Sequence, residues 1–175
     1  MLIIFSGLPG TGKTTIARAL AKRLAAVHVR VDTVEQNIRA SAMLKSGVGP
    51  AGYMVGYGIA EDNLTLGNTV IADSVNCLKV TRDAWLSVAR RSAVPAVEIE
   101  IICSDKNEHR RRVETRATDV QGLRKPTWEE ITARHYDEWG QSPIVIDTAE
   151  QDVDQSVSKL ISKLGLRQNQ RSQDF

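Results

Sequence analysis

A chain of 175 residues, 42% hydrophobic and 25% charged, has the make-up of one globular domain with one sizeable core. A formal net charge of +2 is too small to argue by itself for nucleic acid or a membrane surface as partner. Cys77 and Cys103 form no C-x-x-C pair and lie near no histidine at metal-ligand spacing, which excludes a disulfide scaffold and a zinc module.

Leu2–Ser6 reads as a buried strand and Lys13–Ala25 as an amphipathic helix. Val27–Val31 is a short β-branched second strand closed by Asp32, and Thr33 is placed to cap a helix running to about Leu44. Lys45–Gly52 is a breaker-rich loop, and Tyr53–Leu66 a helix that contains Gly56 and Gly58. Thr69–Asp73 is a third strand, Ser74–Val80 a loop, and Thr81–Ser92 a helix with Ala84, Trp85, Val88 and Ala89 on one face. Ala96–Cys103 is a fourth strand, and Cys103 reads as a small buried residue. Ser104 and Asp105 cap a charged helix through Arg116, and Ala117–Lys125 is a loop stopped by Pro126. Thr127 caps a helix to about Trp139, with Glu130 at the capping-box position. Ile144–Asp147 is the fifth strand and Val153–Leu164 a closing helix. Residues 1–166 form one domain, with a lid around 105–126, and 167–175 read as a flexible polar tail.

Strands alternating with helices predict a parallel sheet covered on both faces through right-handed crossovers. Ligands in such sheets bind beyond the carboxyl ends of the strands. The chemistry-bearing residues follow strand ends: Gly7–Thr14, Asp32, Asp73 with Ser74, and Asp147 with Thr148.

Gly7-Leu8-Pro9-Gly10-Thr11-Gly12-Lys13-Thr14 spells G-x-x-x-x-G-K-T, the Walker A phosphate loop, between a strand and a helix. Glycines let the backbone approach a ligand, so that successive N–H groups cradle phosphate oxygens at the positive end of a helix. The expected nucleotide-binding set is Gly7, Pro9, Gly10, Thr11, Gly12, Lys13, Thr14 and Thr15. Lys13 is expected to reach the β- and γ-phosphates of ATP, and the Thr14 hydroxyl to bind Mg²⁺. Asp73, an acid ending an apolar strand, has the form of a Walker B carboxylate for the same ion. Asp32, at the end of strand two, is a candidate base or positioning group for a substrate hydroxyl, with helix capping as its alternative. Arg112 and Arg116 share one helical face and are expected to meet the triphosphate, or else to pair with Glu108 and Glu114 on a solvated face. The loop after Arg116 is placed to close over ATP. Arg82 has two readings, acceptor site or surface; Tyr53 and Tyr57 have acceptor pocket or core. His28, His109 and His135 make no metal or triad constellation, and N-K-x-D, the guanine signature, is absent.

Gly7–Thr14, Asp32, Asp73-Ser74 with Asn76, Arg82 with Trp85, and Arg112 with Arg116 together resemble the small P-loop kinases related to the kinase domain of phage polynucleotide kinase, zeta toxin and chloramphenicol phosphotransferase. The resemblance spans about Met1–Thr148. It implies a three-layer P-loop NTPase fold with a five-stranded parallel sheet in the order 2-3-1-4-5. It implies that Asp32 matches the catalytic base, that Arg112 and Arg116 match lid arginines, and that the segment after Asp147 lies near the adenine. Glu35 departs from the pattern: polynucleotide kinase has a phosphate-reading arginine there, and an acid argues against nucleic acid as acceptor. The expectation is a cytoplasmic, ATP- and Mg²⁺-dependent kinase in which Lys13, Asp32 and Arg116 are catalytic. A small neutral or cationic molecule would accept the phosphoryl group on a hydroxyl, and no membrane is involved. The alternatives are a nucleotide-dependent switch that only hydrolyses ATP, and a polynucleotide 5′-hydroxyl kinase.

Overall fold

Five successive buried residues, Leu2–Ser6, form the central strand β1 of the computed structural model, which describes residues 1–43, 47–117, 122, 124–149 and 151–166. The remaining elements run in chain order as α1 (Lys13–Leu24), β2 (Val27–Arg30), α2 (Val31–Ala40), α3 (Ala51–Thr65), β3 (Val70–Asp73), α4 (Lys79–Arg91), β4 (Ala96–Ile102), α5 (Lys106–Thr115), α6 (Trp128–Thr132), β5 (Ile144–Asp147) and α7 (Val153–Lys163). The strands pair in the order β2-β3-β1-β4-β5, all parallel. This is the expected P-loop NTPase sheet.

Period-two alternation divides the core between the two faces. Ile3 and Phe5, with Ile71, Ile99, Ile101 and Ile146, pack against Ile16 and Leu20 of α1 and Val157, Leu160 and Ile161 of α7. Leu2 and Ile4, with Val70 and Ala72, pack against Ala60 and Leu64 of α3 and Trp85 and Val88 of α4. A β1 buried on both faces is why its sequence reads as an unbroken apolar run.

The register sets Phe5 beside Asp73 and Ile99, and Arg30 beside Asp73. The strand ends therefore stop at one edge, above which the phosphate loop, Asp32 and Asp73 converge.

Several boundaries differ from expectation. The second helix begins at Val31, directly on the end of β2, so Asp32 lies in its first turn and Thr33 is no cap. Val31 looks like strand because it is β-branched, but it is buried under the sheet edge as the first residue of the helix. Its far end is Ala40, and Leu44 lies outside the described residues. Helix α4 starts two residues before Thr81, and Arg116 is the residue that ends α5 rather than part of it. The helix after Thr127 stops at Thr132 instead of reaching Trp139, although Thr127 and Glu130 form the expected capping box. Its continuation is pre-empted by tertiary partners: Arg82 takes the carbonyls of Asp137 and Glu138 at 3.1 and 2.7 Å, and the Asp137 amide donates to Cys77 O at 2.8 Å. Much of the loop from Ala117 and all of the tail from residue 167 lie outside the described residues.

Candidate functional site

Gly7 and Gly12 show why the loop is spelled as it is. Gly7 has φ +143°, and a Cβ there would lie 2.3 Å from Ile101 O. Gly12, at φ +91°, is the N-cap of α1 and brings no side chain, so the first turn of the helix, which carries no acidic residue, opens onto a cavity. Free N–H groups at a helix N-terminus favour an anion.

The cavity holds about 1000 Å³. Its lining joins Pro9, Gly10, Gly12, Lys13, Thr14 and Thr15 of the loop to Asp32 on α2, and to Arg112 and Arg116 on the far side. Gly7, Thr11 and Asp73 lie outside this lining. The Thr11 hydroxyl turns back onto Leu8 O at 2.9 Å and so shapes the loop from within.

Lys13 and Asp73 meet directly, Nζ to Oδ1, at 2.6 Å. His28 Nε2 lies 3.1 Å from the other Asp73 oxygen, so both carboxylate oxygens are occupied. Burial alone would raise the pKa of Asp73, but the Lys13 charge and hydrogen bonds from His28 and Lys13 outweigh it and hold the carboxyl well below the usual carboxylate range. In this arrangement the loop lysine is committed to the β3 carboxylate.

Thr14 lines the cavity one residue further on. Among the described residues no group of three or more His, Cys, Asp or Glu can hold a metal ion by itself. One hydroxyl and one engaged carboxylate fit a Mg²⁺ ion that keeps waters and takes its other ligands from phosphate oxygens. They do not fit an ion caged by protein alone.

Asp32 is half-exposed in the lining of the same cavity, its Oδ2 3.9 Å from Arg30 Nη2. Glu35 lies one turn on, but its charge is taken up by Arg39 at 3.1 Å, and it packs so closely on Gly52 that a Cβ there would be 2.2 Å from its Cγ. Gly122 lies against Gln36 of α2, and Gly122, Arg124 and Lys125 all line the cavity.

Helix α5 is fastened to the phosphate loop. Asp105 caps it, accepting from the Asn107 and Glu108 amides at 2.8 and 3.1 Å. His109 Nε2 sits 2.9 Å from Pro9 O, and its ring stands edge-on to Trp128 at 5.1 Å. Gly10, at φ +88°, leaves room for Val113, whose Cγ2 would be 2.5 Å from a Cβ. Arg112 donates to the Thr148 hydroxyl at 2.8 Å and to Thr148 O at 2.9 Å, and it pairs with Glu108 at 2.7 Å. Hydrogen bonds from Arg111 and Arg112 hold Glu108 down at about 2. The Thr148 hydroxyl in turn donates to Thr11 O at 2.7 Å. The segment after β5 thus touches both the phosphate loop and Arg112. Arg116 lines the same cavity.

Arg82 fits neither of its expected readings. It is buried under Trp139, its guanidinium 4.3 Å from the ring, and it bonds the backbone carbonyls of Asn76 before α4 and of Asp137 and Glu138 after α6. Tyr57 belongs to the core, edge-on to Trp85 at 4.6 Å. Tyr53 lines the cavity, and burial pushes its phenol up. His135 is exposed and bonds Asp137 at 2.6 Å. Cys103 is buried and Cys77 half-buried, both as free thiols. Sequence pattern leaves His28 and His109 uncommitted, yet each holds part of the site.

The model of the AAA domain matches residues 2–137, more than three quarters of the chain. The chain belongs to the AAA domain family. Among curated proteins none matches it. Solved structures do, at low identity. A Chloroflexus aurantiacus protein designated a kinase is 22% identical over 94% of this chain and 95% of its own, with a TM-score of 0.71. Kti12 from Chaetomium thermophilum, solved with ADP-AlF3, is 20% identical over 94% and 97%, with a TM-score of 0.69. The APS kinase CysC of Mycobacterium tuberculosis, solved with AMPPNP and APS, is 15% identical over 94% and 96%, with a TM-score of 0.66. Each likeness shows that this AAA domain shares their fold; none singles out the polynucleotide kinase and zeta toxin group. No described helix is long and apolar enough to cross a membrane.

Proposed function

We propose that this AAA domain is an ATP-dependent phosphotransferase that moves the γ-phosphoryl group to a hydroxyl of a small-molecule acceptor. One observation carries the reading: a single cavity is lined both by Lys13 and Thr14 of the phosphate loop and by Asp32 of α2. A pure nucleotide switch has no use for a carboxylate there.

ATP would lie along the loop, its phosphates on the α1 N-terminus, with Lys13 exchanging Asp73 for the β- and γ-phosphates. Thr14, and Asp73 once released, would hold Mg²⁺, which neutralises phosphate charge when bound. Asp32 orients the acceptor hydroxyl and takes its proton. The acceptor oxygen forms the new bond to Pγ, the bond from Pγ to the β,γ-bridging oxygen breaks, and ADP leaves with that electron pair. Arg116 and Arg112 meet the charge spread over the transferring group. Of the expected lid over residues 105–126, the part up to Val113 is fastened to the phosphate loop, and the cover that excludes water from the closed site would come from the residues beyond it.

A screen of γ-labelled ATP against sugars, nucleosides, antibiotics and 5′-hydroxyl oligonucleotides tests the reading. Acceptor-dependent ADP release is expected, and a response no greater than with water alone identifies a switch instead. With an accepted substrate, Asp32→Asn should lower kcat about 100-fold or more and leave ATP affinity within about twofold. A normal rate in that variant removes Asp32 from the mechanism.

A further inference from the structure

The two oxygens of Asp73 have partners of different kinds. Oδ1 takes Lys13 Nζ at 2.6 Å, and Oδ2 lies 3.1 Å from His28 Nε2. Lys13 lines the large cavity, whereas His28 lines a separate, smaller pocket of about 220 Å³ with Thr33, Val34 and Ile59. One partner of the carboxylate thus belongs to the ligand cavity and the other does not.

The strands account for the second contact. β2 and β3 run parallel, with Arg30 beside Asp73 and His28 beside Ile71. Ile71 and Asp73 are two residues apart, so they share one face of the sheet, and His28 shares it with them. An imidazole reaches along that face to Oδ2. The proton in the contact can be assigned from the acid. The Asp73 side chain is sealed from solvent. Although burial opposes its charge, Lys13 and His28 hold the carboxyl well below the usual carboxylate range. An ionised carboxylate only accepts, so His28 Nε2 donates.

A nucleotide would disturb one contact and leave the other. Phosphates compete for the ammonium of the loop lysine. The His28 ring is no part of the cavity lining, so a ligand there does not compete for it. When Lys13 moves to the phosphates, Oδ1 loses its partner and Oδ2 keeps its own. An aspartate with neither oxygen held has a broad, soft terminal torsion, and a hydrogen bond to one oxygen removes that freedom.

We propose that His28 is a positioning residue for Mg²⁺: by donating to Oδ2 it holds the Asp73 carboxylate so that Oδ1, once Lys13 leaves it, is presented to the ion that accompanies the nucleotide. His28 touches neither the nucleotide nor the ion. The proposal rests on the phosphotransferase reading only for its ATP·Mg²⁺ donor and requires nothing of the acceptor.

The test is the gain in ADP affinity that Mg²⁺ brings. It is measured by calorimetry on the full chain at one pH, in EDTA and in excess Mg²⁺. The wild type should bind ADP more tightly with the ion. Loss of a hydrogen bond behind a metal-binding group weakens metal affinity about 10- to 100-fold, so His28→Leu should lose about tenfold or more of that gain. General damage to the phosphate loop would weaken ADP binding equally in both conditions and cancel in the ratio. His28→Gln, whose amide N–H can donate to Oδ2, should keep the gain within about threefold of wild type. A second measurement uses the wild type alone, labelled with 15N-histidine. His28 Nε2 should carry its proton both in the nucleotide-free chain and with ADP·Mg²⁺, its signal being the one missing from His28→Gln.

No Mg²⁺ gain in the wild type, an equal gain in His28→Leu, or an equal loss in His28→Leu and His28→Gln overturns the proposal. An unprotonated Nε2 in the ADP·Mg²⁺ complex also overturns it, since the contact would then break when the ion binds. No ADP binding in either condition overturns the phosphotransferase reading as well. An acceptor screen without transfer, with the His28 dependence of the Mg²⁺ gain intact, sinks the phosphotransferase reading alone.

Discussion

Lys13 and Asp73 hold each other at 2.6 Å, almost sealed from solvent, with His28 on the remaining carboxylate oxygen. Because the folded pKa of Asp73 lies below the unfolded value of about 3.9, an unfolded chain takes up the proton first. The pair's stabilisation is therefore complete above about pH 4 and is lost as pH falls toward the folded pKa. Urea denaturation at pH 7, 4 and 3 should show stability falling in the acid range. The fall should be shallower in Asp73→Asn, where nothing at this position titrates. At pH 7, Lys13→Ala should cost about 3 kcal/mol, since it leaves a buried carboxylate with one partner removed. An equal acid slope in wild type and Asp73→Asn would rule out the pair as the titrating element.

Two glycines should respond in opposite directions to the same added methyl group. Gly7→Ala drives a Cβ to 2.3 Å from Ile101 O at a positive φ, and should cost about 2 kcal/mol or more. Gly58→Ala, inside α3 with nothing within 4 Å of the new Cβ, should stabilise by about 0.5 to 1 kcal/mol. Chemical denaturation of both variants checks the contrast, and a destabilised Gly58→Ala would show that α3 needs flexibility there.

Arg82 is a clamp, so Arg82→Lys should be destabilising although it keeps the charge. A single ammonium cannot reach the carbonyls of Asn76, Asp137 and Glu138 together and loses the flat stack on Trp139. A loss of about 2 kcal/mol is expected, with ADP affinity within about twofold. Thermal denaturation and nucleotide titration separate the two, and a stable variant with weakened nucleotide binding would reverse the assignment.

His109 should matter to the phosphate loop without touching ligand. His109→Leu removes the contact to Pro9 O and should raise amide hydrogen exchange over residues 8–12 in the nucleotide-free chain. His109→Gln, which can donate to the same carbonyl, should restore most of the protection. Unchanged exchange in His109→Leu would mean that Val113 packing on Gly10 holds the loop alone.

The features legible in the sequence are local. The phosphate loop, the Asp105 cap and the Thr127–Glu130 box are each written within four to eight residues, and the strands emerge from unbroken or alternating apolar runs. The start of α2 escapes such a reading because Val31 satisfies the strand pattern and its burial is decided by the sheet edge. The early end of α6 and the burial of Arg82 are one event, set by partners 55 and 56 positions apart. His109 with Pro9 and Thr148 with Thr11 span 100 and 137 positions, and no periodicity encodes a pairing at that distance. Glu35 is plainly an acid in the sequence, but its neutralisation by Arg39 depends on which rotamers α2 and α3 permit.

The two fastenings of α5 to the phosphate loop, His109 on Pro9 O and Val113 against Gly10, also fix where this protein can be cut and rejoined. A chimaera that exchanges the segment over the cavity should splice after Val113, because a junction at Asp105 would import a foreign helix onto Gly10 and deform the loop. In engineering terms, the stretch from Asp105 to Val113 is part of the chassis, and any borrowed catalytic cap has to be grafted beyond it.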